Sequence, residues 1–146
     1  MQNTGLFHQQ AYINGQWLDA DSGQVQTILN PATGEVMGTV PLMGTAETRL
    51  AIEAANNALP AWRAKTAKER SQLLRKWFEL MLEHQDELAR LMTLEQGKPL
   101  AEAKGEILYA ASFVEWFAEE AKRVYGDVIP GPQANKRVIV VKQPVG

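Results

Sequence analysis

Nucleophiles, general bases and metal ligands are scarce in these 146 residues. No cysteine occurs, which removes a thiolate nucleophile, a thiolate metal site and a disulfide framework. The two histidines, His8 and His84, are too distant in sequence to form a local pair, and no metal-ligand spacing exists. The three serines, Ser22, Ser71 and Ser112, lie outside any G-x-S-x-G elbow. Gly97-Lys98-Pro99 lacks the upstream glycine and following Ser or Thr of a phosphate-cradling loop, and no G-x-G-x-x-G fingerprint is present. Three clusters remain to be weighed. Glu102 and Glu106 have the spacing of an acid pair, although carboxylates early in a helix also complement its dipole as a solvated face. Arg63, Lys65, Lys68, Arg70, Arg75 and Lys76 form a basic run suited to phosphates or, more simply, to a solvated helix surface. Phe113, Trp116 and Phe117 suit a ligand box or a partner surface, with core packing the default at helical spacing.

The elements that carry these residues follow from periodicity and turn chemistry. Asn14-Gly15 between Tyr12-Ile13 and Gln16-Trp17 is a strong hairpin signal, because both turn residues tolerate positive φ. Val25, Thr27 and Leu29 alternate along a second strand, Asn30 to Gly34 turns the chain, and Val36 and Val40 continue to Pro41. A small β-layer is expected here. From Thr45, taken as an N-cap, Leu50, Ala54, Ala58 and Trp62 recur at helical spacing, and Pro60 should end or bend that helix. Thr66 and Glu69 form a capping box for a second helix, whose apolar face is Leu73, Leu74, Trp77, Phe78, Met81 and Leu82. A third helix carries Leu88, Leu91 and Met92 until Gly97. Leu100, Ala103, Ile107, Ala110, Val114, Phe117, Ala121 and Val124 alternate by three and four. They predict a rod of roughly 40 Å from about Pro99 to Tyr125, with a heptad seam. Such a seam serves a coiled coil or, with Ala103, Ala110 and Ala121 allowing close approach, a buried central helix. Asp127 to Lys142 reads as a closing hairpin, and Val138 to Val141, apolar on both faces, should have company on both sides.

Composition sets the class. Hydrophobic residues make up 45% and charged residues 22%, an ordinary globular balance that excludes disorder. The length suffices for one domain with a real core. The net charge of -2 gives no general attraction to nucleic acid or acidic lipid. Met1 to Gln10 lacks the basic and apolar regions of a signal peptide, and no apolar stretch reaches the roughly 20 residues that span a bilayer. A cytoplasmic chain with no membrane and no nucleic-acid partner is therefore expected. The sequence stops at Gln143-Pro144-Val145-Gly146, directly after an apolar strand, so a truncated end is expected as well. Residues alone lead to an α+β segment with N-terminal β-hairpins, four helices and a C-terminal β-hairpin, without a visible active site.

From about Gln10 to Gly146 the order and spacing of several short pieces resembles the N-terminal part of the aldehyde dehydrogenase superfamily. These pieces are Tyr12-Ile13-Asn14-Gly15-Gln16-Trp17 and Asn30-Pro31-Ala32-Thr33-Gly34-Glu35, then Glu95 to Ala103 with Gly105-Glu106. Glu115-Trp116-Phe117-Ala118-Glu119-Glu120, Tyr125-Gly126 with Ile129-Pro130, and Gln143-Pro144-Val145-Gly146 complete them. Within the superfamily the chain looks most like the bacterial NAD(P)-dependent succinate-semialdehyde dehydrogenases, mainly over Gly97 to Ile129. The resemblance implies a segment of an α/β enzyme that oxidises succinate semialdehyde to succinate with NAD or NADP. In that chemistry a cysteine thiolate attacks the aldehyde, hydride passes to the nicotinamide, and a glutamate activates water to hydrolyse the thioester.

None of the family's catalytic or cofactor-binding residues has a counterpart in these 146 residues, so no cofactor and no catalysis are expected of this chain alone. The resemblance implies that residues 1–126 are the incomplete strands and helices of the cofactor-binding domain. Residues 127–146 would then be an incomplete oligomerisation hairpin, with a homo-oligomer formed through Val128 to Lys142. It also places Gly105 and Tyr109, one turn apart on the long helix, at the mouth of the substrate tunnel. No metal ligand is implied, because the family's cation site uses an acidic side chain near the position of Gln96. The other reading is a stand-alone interaction module that offers the hairpin edge or the long helix to a partner such as a full-length homologue.

Overall fold

Asn14 and Gly15 adopt φ of 51° and 79°, the paired left-handed conformation of a tight hairpin turn. They join strand β1, Ala11–Ile13, to β2, Gln16–Leu18, in antiparallel register with Tyr12 opposite Trp17. The computed structural model describes residues 5–145. The next turn is also set by local chemistry. Asn30 Oδ1 accepts from the Ala32 amide at 2.9 Å and the Asn30 carbonyl from the Gly34 amide at 2.8 Å. This turn connects β3, Val25–Leu29, to β4, Val36–Pro41, with a bulge after Ile28. The two hairpins are separate two-stranded sheets, not the single β-layer that alternation suggested. Ile28 is half-buried and Met37 buried, while Val25, Leu29, Val36 and Val40 are exposed.

Helix α1 spans Thr45–Ala64. Its N-cap is Gly44 rather than Thr45, and Glu47 reaches back to accept from the Gly44 amide at 2.9 Å and the Asp21 amide at 3.0 Å. Pro60 stands inside α1, one turn before its last residue, and does not end it: a proline forfeits one intrahelical hydrogen bond, and the helix continues to Ala64. No residue of α1 is buried, so its apolar stripe lies largely on the surface. Helix α2, Ala67–Glu83, begins with the expected box: Thr66 Oγ1 accepts from the Glu69 amide and Glu69 Oε2 from the Thr66 amide. Its covered stripe runs through Ser71, Leu74, Phe78 and Met81, whereas Leu73, Trp77 and Leu82 are exposed. Helix α3, Gln85–Gln96, ends at Gly97, whose φ of 77° is a left-handed C-cap.

Helix α4 occupies Leu100–Glu120, and a single 3-10 turn, Ala121–Arg123, follows. The rod is about 32 Å at 1.5 Å per residue, shorter than the spacing predicted, because the tighter turn ends it before Tyr125. Its buried residues are Ala103, Ile107, Ala111 and Ala118. That stripe keeps the pitch of a straight helix and departs from the heptad phase, which would have buried Phe117 and Ala121. Alanines on the contact line bring α4 against α2 and α3, where Ala89, Ala103 and Ile107 form the core with Leu88 and Met92.

Polar bonds across the bundle, the Lys104–Asp86 ion pair at 2.7 Å among them, accompany the packing. Gln85 Nε2 donates to the Lys104 carbonyl at 3.1 Å, and Arg75 Nη1 bonds Glu115 Oε1 at 2.9 Å. The closing hairpin pairs β5, Asp127–Pro130, with β6, Arg137–Val140. Both faces of this two-stranded hairpin are open, so the company expected on both sides of Val138 to Val141 comes from β5 alone among the described residues. Gly126 is required where the chain enters it, since a Cβ there would collide with the Val140 carbonyl oxygen.

The accessible surface is 10973 Å². A closed 16.2 kDa domain would expose about 7,500 Å². The molecule is thus far more open than its length and composition suggested.

Candidate functional site

Helix α4 carries the residues singled out by resemblance, and its packing decides which of them face solvent. With Ala103, Ile107, Ala111 and Ala118 turned to α2 and α3, the opposite side presents Tyr109, Phe113, Trp116 and Phe117. Trp116 is 61% exposed and Phe117 57%, which overturns core packing as the role of this aromatic set. Tyr109 and Phe113, one turn apart, meet edge to face at a centroid distance of 4.8 Å. Ser112 Oγ donates back to the Tyr109 carbonyl at 2.7 Å. Gly105 lies one turn before Tyr109, and a Cβ there would touch nothing within 4 Å. Gly105 and Tyr109 therefore share an accessible stretch of the helix, with Tyr109 reaching the groove through Phe113.

That groove has a volume of about 800 Å³ and is lined by Phe113, Trp116, Phe117, Glu115, Glu119 and Arg123, with Ser112. Its walls are aromatic and its far end is charged. A hydrogen bond from Lys122, and then its charge, hold the Glu119 carboxyl below the usual carboxylate range. Arg123 does the same for Glu120 through a hydrogen bond. Glu79, and next Glu115, raise the Arg75 guanidinium. Glu119 and Glu120 are thus ionised partners in ion pairs, unsuited to proton transfer near neutral pH. The acid pair read from spacing divides: Glu106 is bound to Lys98 Nζ, while Glu102 sits in the first turn of α4, where the dipole favours it.

Among the described residues no group of three or more His, Asp and Glu side chains is arranged to hold a metal ion. Among the described residues no helix is long and apolar enough to cross a membrane. The arrangement can present an apolar aromatic wall and orient it. Sequence reasoning missed the Arg75–Glu115 brace that fixes α4 on α2, because forty residues separate the partners and neither belongs to a motif.

The profile of the aldehyde dehydrogenase family matches residues 17–146. The chain is 75% identical, over its whole length, to glutarate-semialdehyde dehydrogenase of Pseudomonas putida. It is 69% identical to the NADP(+) succinate-semialdehyde dehydrogenase of Escherichia coli, again over its whole length. It spans about 30% of the length of each. The crystal structure of succinate-semialdehyde dehydrogenase from Burkholderia pseudomallei superimposes on all of the chain with a TM-score of 0.96 and 60% identity, the chain covering 30% of that protein. Four helices with small hairpins at either end thus form part of an α/β fold, and the chain belongs to the aldehyde dehydrogenase family.

Proposed function

We propose that this chain is the N-terminal scaffold of an NAD(P)-dependent dehydrogenase of short dicarboxylic semialdehydes, with succinate semialdehyde as substrate and glutarate semialdehyde as its one-carbon homologue. The observation that carries this reading is the unbroken match of the whole chain to semialdehyde dehydrogenases of both chain lengths, at 69% and 75% identity. In this reading residues 1–126 belong to the cofactor-binding domain, and Val128 to Lys142 is an oligomerisation hairpin between like subunits in the cytoplasm. The open faces of β5 and β6, where Val128 and Ile139 are each 72% exposed, support that role.

The chain's own part is positional. Gly105 leaves space beside α4 and Tyr109, held edge-on by Phe113, supplies an aromatic wall for an aliphatic aldehyde entering the tunnel. The nicotinamide cofactor supplies the hydride acceptor. The chain's positive-φ glycines, Gly15, Gly23, Gly34 and Gly97, sit in turns and at a helix end rather than in a strand-to-helix phosphate cradle. Cofactor binding and thiolate chemistry are accordingly not assigned to residues of this chain, and the isolated chain is inactive.

A test combines the chain with the separately expressed remainder of the Escherichia coli relative. Succinate or glutarate semialdehyde is supplied with NAD+ or NADP+. The chain alone should reduce neither cofactor, the mixture should reduce one, and Tyr109→Ala should raise KM for the aldehyde more than it lowers kcat. Turnover by the chain alone, or a stable complex without activity, would overturn the reading. The second reading, an interaction module for a full-length homologue, is favoured by the same open hairpin. It predicts co-purification at fixed stoichiometry with the intact relative.

A further inference from the structure

We propose that the pocket between the α1–α2 junction and the segment following β6 binds a phosphate-bearing anion of the diphosphate class. Two distant stretches of the chain meet there: Trp62, Arg63, Lys65 and Arg70 on one side, Lys142 and Gln143 on the other. The space is about 640 Å³, within the range of small-molecule sites. Four of the side chains around it are cationic and none of its lining residues is a carboxylate.

The basic run of the sequence divides at this point. Arg75 turns to Glu79 and Glu115, and Lys68 and Lys76 stay exposed, whereas Arg63, Lys65 and Arg70 converge with Lys142. A solvated helix face does not account for that convergence, because Lys142 comes from beyond the closing hairpin. Among the described residues no carboxylate pairs with any of the four. Glu69, whose charge reaches Lys65, is committed to the helix cap: its Oε2 accepts from both the amide and the hydroxyl of Thr66 at 2.7 Å.

Arg70 Nη1 donates to the Lys65 carbonyl, which anchors the guanidinium and leaves further donors of its fork free. A multiply charged anion in this concavity would meet all four cations, and no carboxylate lines the pocket to compete for them. Guanidinium forks match phosphate oxygens in a bidentate way, the Gln143 amide adds donors, and Trp62, 37% exposed, adds an aromatic surface. The site is independent of the proposed catalytic role, and either stands if the other fails.

The test is calorimetric titration of the 146-residue chain with pyrophosphate at physiological ionic strength. Saturable binding at one site is expected. The double variant Arg63→Gln/Lys142→Gln should bind about tenfold more weakly or worse. Lys68→Gln/Lys76→Gln removes the same charge outside the pocket and should change affinity less than about twofold. No saturable binding, or equal weakening by both double variants, would overturn the proposal, the latter because it would show a diffuse charge effect. Adenosine diphosphate separates the sources of the group. Tighter binding that Trp62→Leu abolishes identifies a nucleotide, and affinity equal to that of pyrophosphate identifies a bare diphosphate, both at the same site.

Discussion

The phase of helix α4 can be tested with two neighbouring residues, because the heptad seam and the structure assign them opposite roles. Phe117 lies on the seam yet is 57% exposed, while Ala118 lies off it and is 1% exposed. A phenylalanine carries about 200 Å² of surface, so about 85 Å² of Phe117 is covered. At about 25 cal/mol per Å² that burial contributes about 2 kcal/mol at most, and part of it persists in alanine. Phe117→Ala should therefore cost about 1 kcal/mol, against about 3–5 kcal/mol for a phenylalanine in a core. Ala118→Leu forces three further carbons into the contact of α4 with its neighbours and should cost about 1–3 kcal/mol. Urea unfolding of the chain followed by far-ultraviolet circular dichroism measures both as midpoint shifts at constant m-value. A loss above about 3 kcal/mol for Phe117→Ala, with Ala118→Leu silent, would refute the packing described here and restore the heptad seam.

Two further changes probe the helix ends. Gly97→Ala puts a side chain at φ 77°, where its Cβ would meet Pro31 Cγ at 3.0 Å, and should lower stability by about 1–2 kcal/mol in the same titration. The Glu69 carboxyl is held low by the Thr66 hydroxyl and then by its amide, so in acid the unfolded chain binds more protons than the folded one. Its stabilisation is complete above the ordinary carboxylate pKa and is lost as pH falls through the lowered value. Thr66→Ala should cost about 1 kcal/mol at neutral pH and flatten that acid limb, and an unchanged limb would contradict the assignment.

Features settled within a few residues were legible in the sequence. Asn14-Gly15, the Thr66–Glu69 box and the Gly97 cap each depend on local backbone preference, and each forms as expected. Features settled between elements were not. Residue type alone makes Phe117 a better core candidate than Ala118, yet close approach of α4 to α2 and α3 favours the smaller side chain on the contact line. The same applies to α1, whose apolar stripe finds little to cover it, and to Val138 to Val140, paired on one side only. Gly105 and Tyr109 were nominated by resemblance. Their shared exposure follows from the alanine stripe opposite, which heptad counting placed differently. Convergence of Lys142 with Arg63 depends on where the chain passes after β6, and no sequence spacing encodes it.

The central claim is that this chain serves as the scaffold of a semialdehyde dehydrogenase. Grafting it in place of the matching segment of the Escherichia coli relative, as one polypeptide, tests that claim most directly. NADP+-dependent oxidation of succinate semialdehyde, within about tenfold of the parent in kcat/KM, is the result expected. A folded, cofactor-binding chimera without turnover of either succinate or glutarate semialdehyde would contradict it.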